Sequence, residues 1–302
     1  MRRKRATPRG ASRRARSTTA LSGWCSRSSS LACVLGLLML GLPGLTVTFD
    51  GHVDLTRRAV QALPPVSRDL KPGWMEYHEQ LKAKAESEGS RARVLVLGDS
   101  ITEELLGTSL GEPREDRGDT LSVWLEYYDY LGAINLGVSG DMTQHLLWRL
   151  QNGELPDVLQ PEVILVAIGT NNLGFGLSVR ETVEGIRVNV EYLRKERPDA
   201  LVYVMALFPR ADREDETSPR PWPVIDQVNA SMLSMLNREF GDDKVVFIDC
   251  TARFLAEDES GNPVLNGEFI LPDNLHLTRE GLQAWAECVE GDLHATLSEG
   301  AG

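Results

Sequence analysis

The sequence predicts an α/β fold, a parallel sheet covered by helices on both faces, and three observations carry that prediction. Runs of β-forming apolar residues alternate with longer stretches of helical spacing, the pattern left by strand–helix–strand crossovers. The first run, Val94-Leu95-Val96-Leu97, is apolar at every position and not at every second one, as a strand buried on both faces requires. Composition is that of a globular protein, with 42% of the 302 residues apolar and 25% charged. That is enough apolar material for a sizeable core.

The chain opens on a basic leader. Nine of its 32 Lys and Arg lie within residues 1–49, which hold no acid. Leu31 to Phe49 then runs without a charge. As a helix it would be about 28 Å long, close to the hydrocarbon thickness of a bilayer. Its Gly36, Gly41, Pro43 and Gly44 are tolerated in membrane helices. The preferred reading is a signal anchor spanning a membrane through residues 31–49, with everything beyond Asp50 lumenal or extracellular. A cleaved secretory signal or an organelle transit peptide is the alternative, the latter fitting the Arg/Ser bias. Residues 50–73, with Pro64-Pro65 and Lys71-Pro72-Gly73, read as a linker. Residues 74–302 read as one domain.

Within that domain a charged helix is expected from Trp74 to about Glu88. Strands are expected at Val94–Leu97, Ala133–Leu136, Val163–Ile168, Leu201–Leu207 and Val245–Ile248. Helices fall between them at Thr143–Leu150, Val179–Lys195 and Val224–Phe240, and a last one runs from about Thr278 to Leu297. Thr108 to Thr120 is rich in Gly and charge and reads as an exposed loop.

Charge narrows the function classes. Beyond residue 49 the chain carries 23 basic and 44 acidic side chains, so no surface is available to neutralise phosphates and no nucleic-acid partner is expected. Cys25, Cys33, Cys250 and Cys288 show neither a C-x-x-C spacing nor a grouping with histidine. They read as packing thiols, with no zinc site and no disulfide framework. Asn229-Ala230-Ser231 is a glycosylation sequon, but it falls inside a predicted helix.

The ends of the strands carry the chemistry. After the first comes Gly98-Asp99-Ser100, a serine at the mouth of a helix and at the carboxyl edge of the sheet, where open α/β sheets bind ligands. After the second comes Asn135-Leu136-Gly137-Val138-Ser139-Gly140-Asp141, a polar turn whose glycines allow close backbone approach. After the third comes Gly169-Thr170-Asn171-Asn172, and beyond the fifth Leu271-Pro272-Asp273-Asn274-Leu275-His276. A serine hydroxyl is a weak nucleophile and needs a base, which His276 supplies, and an acid to orient that base, which Asp273 supplies. An oxyanion needs preorganised donors, for which the backbone N–H groups of Ser100 and Gly140 and the amide of Asn171 qualify. Asp99 reads as the residue that holds the serine turn by local hydrogen bonds. Asp141 reads as a structural acceptor, and His145 as a core or surface residue.

These four blocks, in this order, resemble those of the SGNH (GDSL-type) esterases and lipases. The likeness is strongest to the catalytic subunits of the intracellular platelet-activating factor acetylhydrolases. It rests on the run from Gly140-Asp141-Met142-Thr143-Gln144-His145 through Trp148-Arg149-Leu150-Gln151-Asn152-Gly153-Glu154-Leu155, on Gly169-Thr170-Asn171-Asn172, on Leu207-Phe208-Pro209-Arg210 and on Leu275-His276-Leu277-Thr278. It begins near Trp74 and lasts to the end of the final helix. The resemblance implies a three-layer α/β/α sandwich of flavodoxin-like type, with a five-stranded parallel sheet in the order 2-1-3-4-5. It implies a cofactor-free, metal-free serine esterase with Ser100 as nucleophile, His276 as base and Asp273 as its partner. Gly140 and Asn171 carry over as oxyanion-hole residues, and Ile101 and Leu275 map to the acyl pocket, where their bulk favours a short acyl group. The expected partner is a small-molecule, lipid or glycan ester, and the family's subunits make a homodimer an open assembly. Glycan O-acetylesterase and lysophospholipase are the alternative activities. A membrane-tethered interaction module without catalysis is the alternative class, against which the complete Ser100–His276–Asp273 set argues.

Overall fold

The computed structural model describes residues 64–212, 221–241 and 244–299. Five strands, β1 (Val94–Gly98), β2 (Ala133–Gly137), β3 (Val163–Ala167), β4 (Leu201–Met205) and β5 (Val245–Ile248), form one sheet. Its pairings are all parallel and its order is β2-β1-β3-β4-β5. This is the expected 2-1-3-4-5 arrangement. Register sets the rim of the site. Gly98 stands between Gly137 and Ala167, so the loops leaving β1, β2 and β3 start side by side.

Because successive strand side chains point to opposite faces, the sheet feeds two cores. Leu95, Leu97, Leu136, Ile164, Val166, Val202 and Val204 pack on one face. The helices there are α1 (Trp74–Glu88), α4 (Thr143–Arg149), α6 (Val179–Glu196) and α7 (Pro223–Glu239). Val94, Val96, Val163, Leu165, Tyr203 and Met205 pack on the other face, under α3 (Leu121–Tyr127) and α8 (Arg279–Glu299). Each Leu, Ile or Val fully withdrawn from water contributes roughly 1.5–3 kcal/mol.

Local signals explain the elements. α6 starts at Ser178, whose Oγ accepts from Glu181 N at 3.2 Å while Ser178 N donates to Glu181 Oε2 at 2.8 Å. Its Val183, Ile186, Val190 and Leu193 recur at helical spacing and are buried. α7 opens on Pro223, where the missing N–H costs nothing. The sequon inside it is committed elsewhere. Asn229 is buried, its Oδ1 accepting from Leu207 N at 2.8 Å and its Nδ2 donating to Leu207 O at 3.0 Å. That side chain ties α7 to the end of β4.

Three features depart from expectation. Cys250 and Cys288 are not packing thiols but a disulfide with a Cα–Cα distance of 6.1 Å, joining the end of β5 to α8. They lie 38 residues apart, so no local spacing announces the pair. Secondly, residues 64–73 lie against the domain, with Val66 N donating to Gln144 O at 3.3 Å. Thirdly, the Thr108–Thr120 stretch folds into a short hairpin, Thr108–Ser109 against Glu112–Pro113, followed by a 3-10 turn at Glu115–Arg117. The apolar run 31–49 lies outside the described residues, as do Cys25 and Cys33. Among the described residues no helix is long and apolar enough to cross a membrane.

Candidate active site

The serine turn is built by steric demand. A Cβ at Gly98 would lie 2.0 Å from Thr102 Oγ1 and 2.6 Å from Ala167 O, so only glycine ends β1 this close to its neighbours. Asp99 then caps α2 (Ser100–Glu103), its Oδ1 accepting from Ile101 N at 3.1 Å. It is the turn-holding residue that local chemistry predicts. Burial pushes its carboxyl up to about 7, against the hydrogen bond from Ile101. Ser100, the first residue of α2, is left half-buried at the rim.

The histidine arrives on the loop before α8. Ser100 Oγ lies 3.1 Å from His276 Nε2, and His276 Nδ1 lies 2.7 Å from Asp273 Oδ2. Asp273 also accepts from Leu275 N at 3.1 Å and from His276 N at 2.9 Å, both through Oδ1. This bends the loop into a closed unit, helped by Asn274 in the left-handed region at φ 55°. Burial alone would raise the Asp273 carboxyl, but the hydrogen bonds and charge of His276 outweigh it and hold Asp273 well below the usual range. Burial would lower His276, but the Asp273 hydrogen bond and the charges of Glu104 and Asp273 hold it above its ordinary value.

The remaining predicted residues cluster on the neighbouring loops. Gly140 takes φ 80°, a conformation open to glycine, and Arg68 covers it, its Nη1 donating to Ser139 O at 2.9 Å. Asn171 sits on α5 (Thr170–Gly174), and its Nδ2 donates to Asp141 O at 2.9 Å, linking the β3 loop to the Gly140 turn. Asn172 is buried and accepts from Thr143 N at 3.0 Å, a brace for α4. Asp141 is the structural acceptor expected, taking Trp74 Nε1 and Arg149 Nε at 2.7 Å each. Arg149 continues to Glu154, and Glu154 to His78 Nδ1 at 2.7 Å, giving His78 a partner that no sequence pattern suggested. His145 caps α4 by accepting from Met142 N at 3.0 Å. Ile101 lines a small cavity with Asp99, Ala167, Thr170, Ala206, Leu207 and Phe208. Leu275, half-buried on the histidine loop, is not among that cavity's walls.

Three site residues escaped the sequence reading. Glu103, fully buried, accepts Ser139 N at 2.8 Å, Ser139 Oγ at 2.7 Å, Gly111 N at 2.9 Å and Thr108 Oγ1 at 3.1 Å. It pins the Gly140 turn and the hairpin to α2. Glu104 approaches His276, and Arg117 lies 3.7 Å from Asp273 Oδ2. The available signal for the two acids was a Glu-Glu pair three and four residues after the serine, the spacing that returns to the same side of a helix. Among the described residues no group of three His, Cys, Asp or Glu side chains is placed to hold a metal ion.

Comparison with known proteins adds to this geometry. Residues 96–284 match the model of the GDSL-like Lipase/Acylhydrolase family. The human Platelet-activating factor acetylhydrolase IB subunit alpha1 is 27% identical over 229 residues, 76% of this chain and 86% of that protein. The alpha2 subunit from Gallus gallus is 30% identical over 219 residues, 72% of this chain and 82% of that protein. Among solved structures, a GDSL-like lipase from Bacteroides thetaiotaomicron VPI-5482 superposes with a TM-score of 0.52 at 17% identity, covering 72% of this chain and 98% of that one.

Proposed function

Because the chain belongs to the GDSL-like lipase/acylhydrolase family and is a carboxylic ester hydrolase, we propose that it is a serine esterase acting through an acyl-enzyme. The observation that carries this reading is the unbroken hydrogen-bonded line from Ser100 Oγ through His276 to Asp273. His276 Nε2 takes the Ser100 proton as Oγ bonds to the ester carbonyl carbon, and Asp273 stabilises the resulting imidazolium. The N–H groups of Ser100 and Gly140 and the Asn171 amide receive the oxyanion. Collapse breaks the bond to the alcohol, which leaves with the proton from His276. Water then repeats the sequence on the acyl-Ser100 ester, His276 again taking the proton, and releases the acid.

The acyl group is short, and acetyl fits best. Ile101, directly after the nucleophile, walls a small cavity with Asp99, Ala167, Thr170 and Phe208, and its bulk leaves little room there for a long acyl chain. Leu275 is assigned to the acyl site by resemblance alone, since it does not wall that cavity. The named activity of the acetylhydrolase relatives agrees with a short acyl group. The alcohol part is sought among O-acetylated glycans, lysophospholipids and short-chain phospholipids.

The domain works outside the reducing cytoplasm, tethered by residues 31–49. The Cys250–Cys288 disulfide supports that location, since such bonds persist in oxidising compartments. Deleting residues 1–49 is expected to move the protein from the membrane fraction to the soluble one with its turnover kept. A deletion variant that stays with membranes rejects the tether.

The activity test is labelling of the full chain by a fluorophosphonate, combined with a panel of p-nitrophenyl esters. The wild type is expected to be labelled and to turn over the acetyl ester fastest, and Ser100→Ala to lose both. Absence of labelling and turnover in the wild type overturns the serine-esterase reading.

A further inference from the structure

His276 has a second acidic neighbour besides Asp273. Glu104, four residues after Ser100, is 2% exposed, and its Oε1 lies 3.9 Å from His276 Nε2, the ring nitrogen that faces the serine. Its other oxygen, Oε2, is buried without a hydrogen-bond partner. Arg117 spans the two acids. Its Nε is 3.4 Å from Glu104 Oε1 and its Nη2 is 3.7 Å from Asp273 Oδ2. The side chain of Arg117 is largely buried, with Asp116 Oδ2 3.7 Å away on its outer side. Asp116 is itself held by Arg114 at 2.7 Å. Beneath the serine lies Asp99, whose carboxyl burial pushes up to about 7, which weakens its charge toward the ring.

We propose that Glu104 and Arg117 are positioning residues of opposite sign that set the proton affinity of His276. The idea rests on the reading of His276 as the base. With a neutral imidazole, Asp273, Glu104 and Arg117 sum to one negative charge. Protonation of the ring brings the cluster to neutrality. The surroundings therefore match the imidazolium that forms as Ser100 attacks, and solvent screens them little because Glu104 and Arg117 are buried. Glu104 draws the proton toward Nε2. Arg117 limits that pull, so the ring gives up its proton more readily than Asp273 and Glu104 alone would allow. The directions of the shifts agree, burial lowering His276, Glu104 raising it and Arg117 lowering it. Burial raises Glu104 itself, while His276 and Arg117 draw it back toward the charged form.

The two residues come from elements that only the tertiary fold brings together, the turn behind the serine and the hairpin loop. The hairpin loop is thereby more than a covering. Through Arg117 it carries one of the charges that the base senses.

The experiment measures the rate of inactivation by a fluorophosphonate against pH, from about 4.5 to 9, for the full chain. That rate needs the serine and its base but no knowledge of the natural ester. Glu104→Gln is expected to move the acid limb of the profile down by about one pH unit, and Arg117→Gln to move it up by a similar amount. Arg117→Lys, which keeps the charge, is expected to restore the wild-type limb. Thermal melts accompany each variant, and the Arg117 pair decides the matter if Glu104→Gln does not fold. Limbs that coincide with the wild type, or that move in the same direction in both glutamine variants, overturn the proposal. A changed melting temperature with an unchanged limb overturns it too, because that assigns the pair a structural role alone. A wild-type chain that is not labelled at any pH instead overturns the esterase reading.

Discussion

The serine turn and the histidine loop meet at one hydrogen bond, yet they are held by different physics. Around the serine, Asp99, Thr102 and Glu103 are each at most 2% exposed. The turn is locked by close packing at Gly98 and by the four donors that converge on Glu103. Around the histidine, the Asp273 side chain is 42% exposed, and most of its partners lie within its own loop. Leu271 N donates to His276 O at 2.8 Å, which closes that loop on itself, and Ala211 N donating to Asn274 O at 2.9 Å ties it to the body. Ser100 is thus positioned by the core, and His276 by a small self-bonded unit docked at the edge. Changes on the first side should cost stability, and changes on the second should cost activity alone.

The largest expected effect tests the meeting point. Ser100→Ala and His276→Ala are each expected to lower kcat by about 10⁵–10⁶-fold, read with a p-nitrophenyl acetate assay. Wild-type-like turnover in either variant breaks the pairing. Asp273→Asn is expected to cost about 10⁴-fold in kcat with its urea midpoint unchanged, because the imidazole loses its orienting charge but the loop keeps its shape. Glu103→Ala is expected to do the reverse first, lowering unfolding stability by about 3 kcal/mol as buried donors lose their acceptor. If these two variants shift stability equally, the contrast between the regions is wrong.

Asn171→Ala is expected to reduce kcat by about 10²–10³-fold with little change in KM, the signature of a donor used in the transition state. The smallest expected effect concerns the bond that anchors α8 behind the histidine loop. Replacing Cys250 and Cys288 together by serine is expected to lower stability by about 2–4 kcal/mol in urea unfolding while kcat stays within a few-fold. A collapse of kcat at full stability would show that the histidine loop depends on the disulfide for its geometry. The acid limb of kcat/KM should lie above pH 6.5 in the wild type, since His276 is held above its ordinary value and only the neutral ring accepts the serine proton.

Much of this arrangement was legible in the chain. The five strands are where their β-forming runs place them, most plainly β1, β3 and β4, whose unbroken apolar runs suit strands buried on both faces. Three of the four blocks were legible because each follows a strand of the sheet with a polar, glycine-bearing turn, and the fourth because it pairs an acid and a histidine just before the last helix. Asp273 reaches His276 across three residues, a contact that spacing alone makes available. Glu103, Glu104 and Arg117 were not legible. Acids after a helix start read equally well as a solvated first turn, and an arginine in a Gly-rich, charged loop reads as surface. The disulfide escaped for a similar reason, since nothing local distinguishes Cys250 or Cys288 from a packed thiol.

The sequence by itself determined the layers and the sheet, because both follow from periodicity, and it offered Ser100, His276 and Asp273 as candidates through short blocks that resemble those of a known family. Only the tertiary structure decided which charges surround the imidazole and which cysteines meet. Those facts depend on the distance between residues far apart along the chain, and that distance is set by how two cores pack on one sheet.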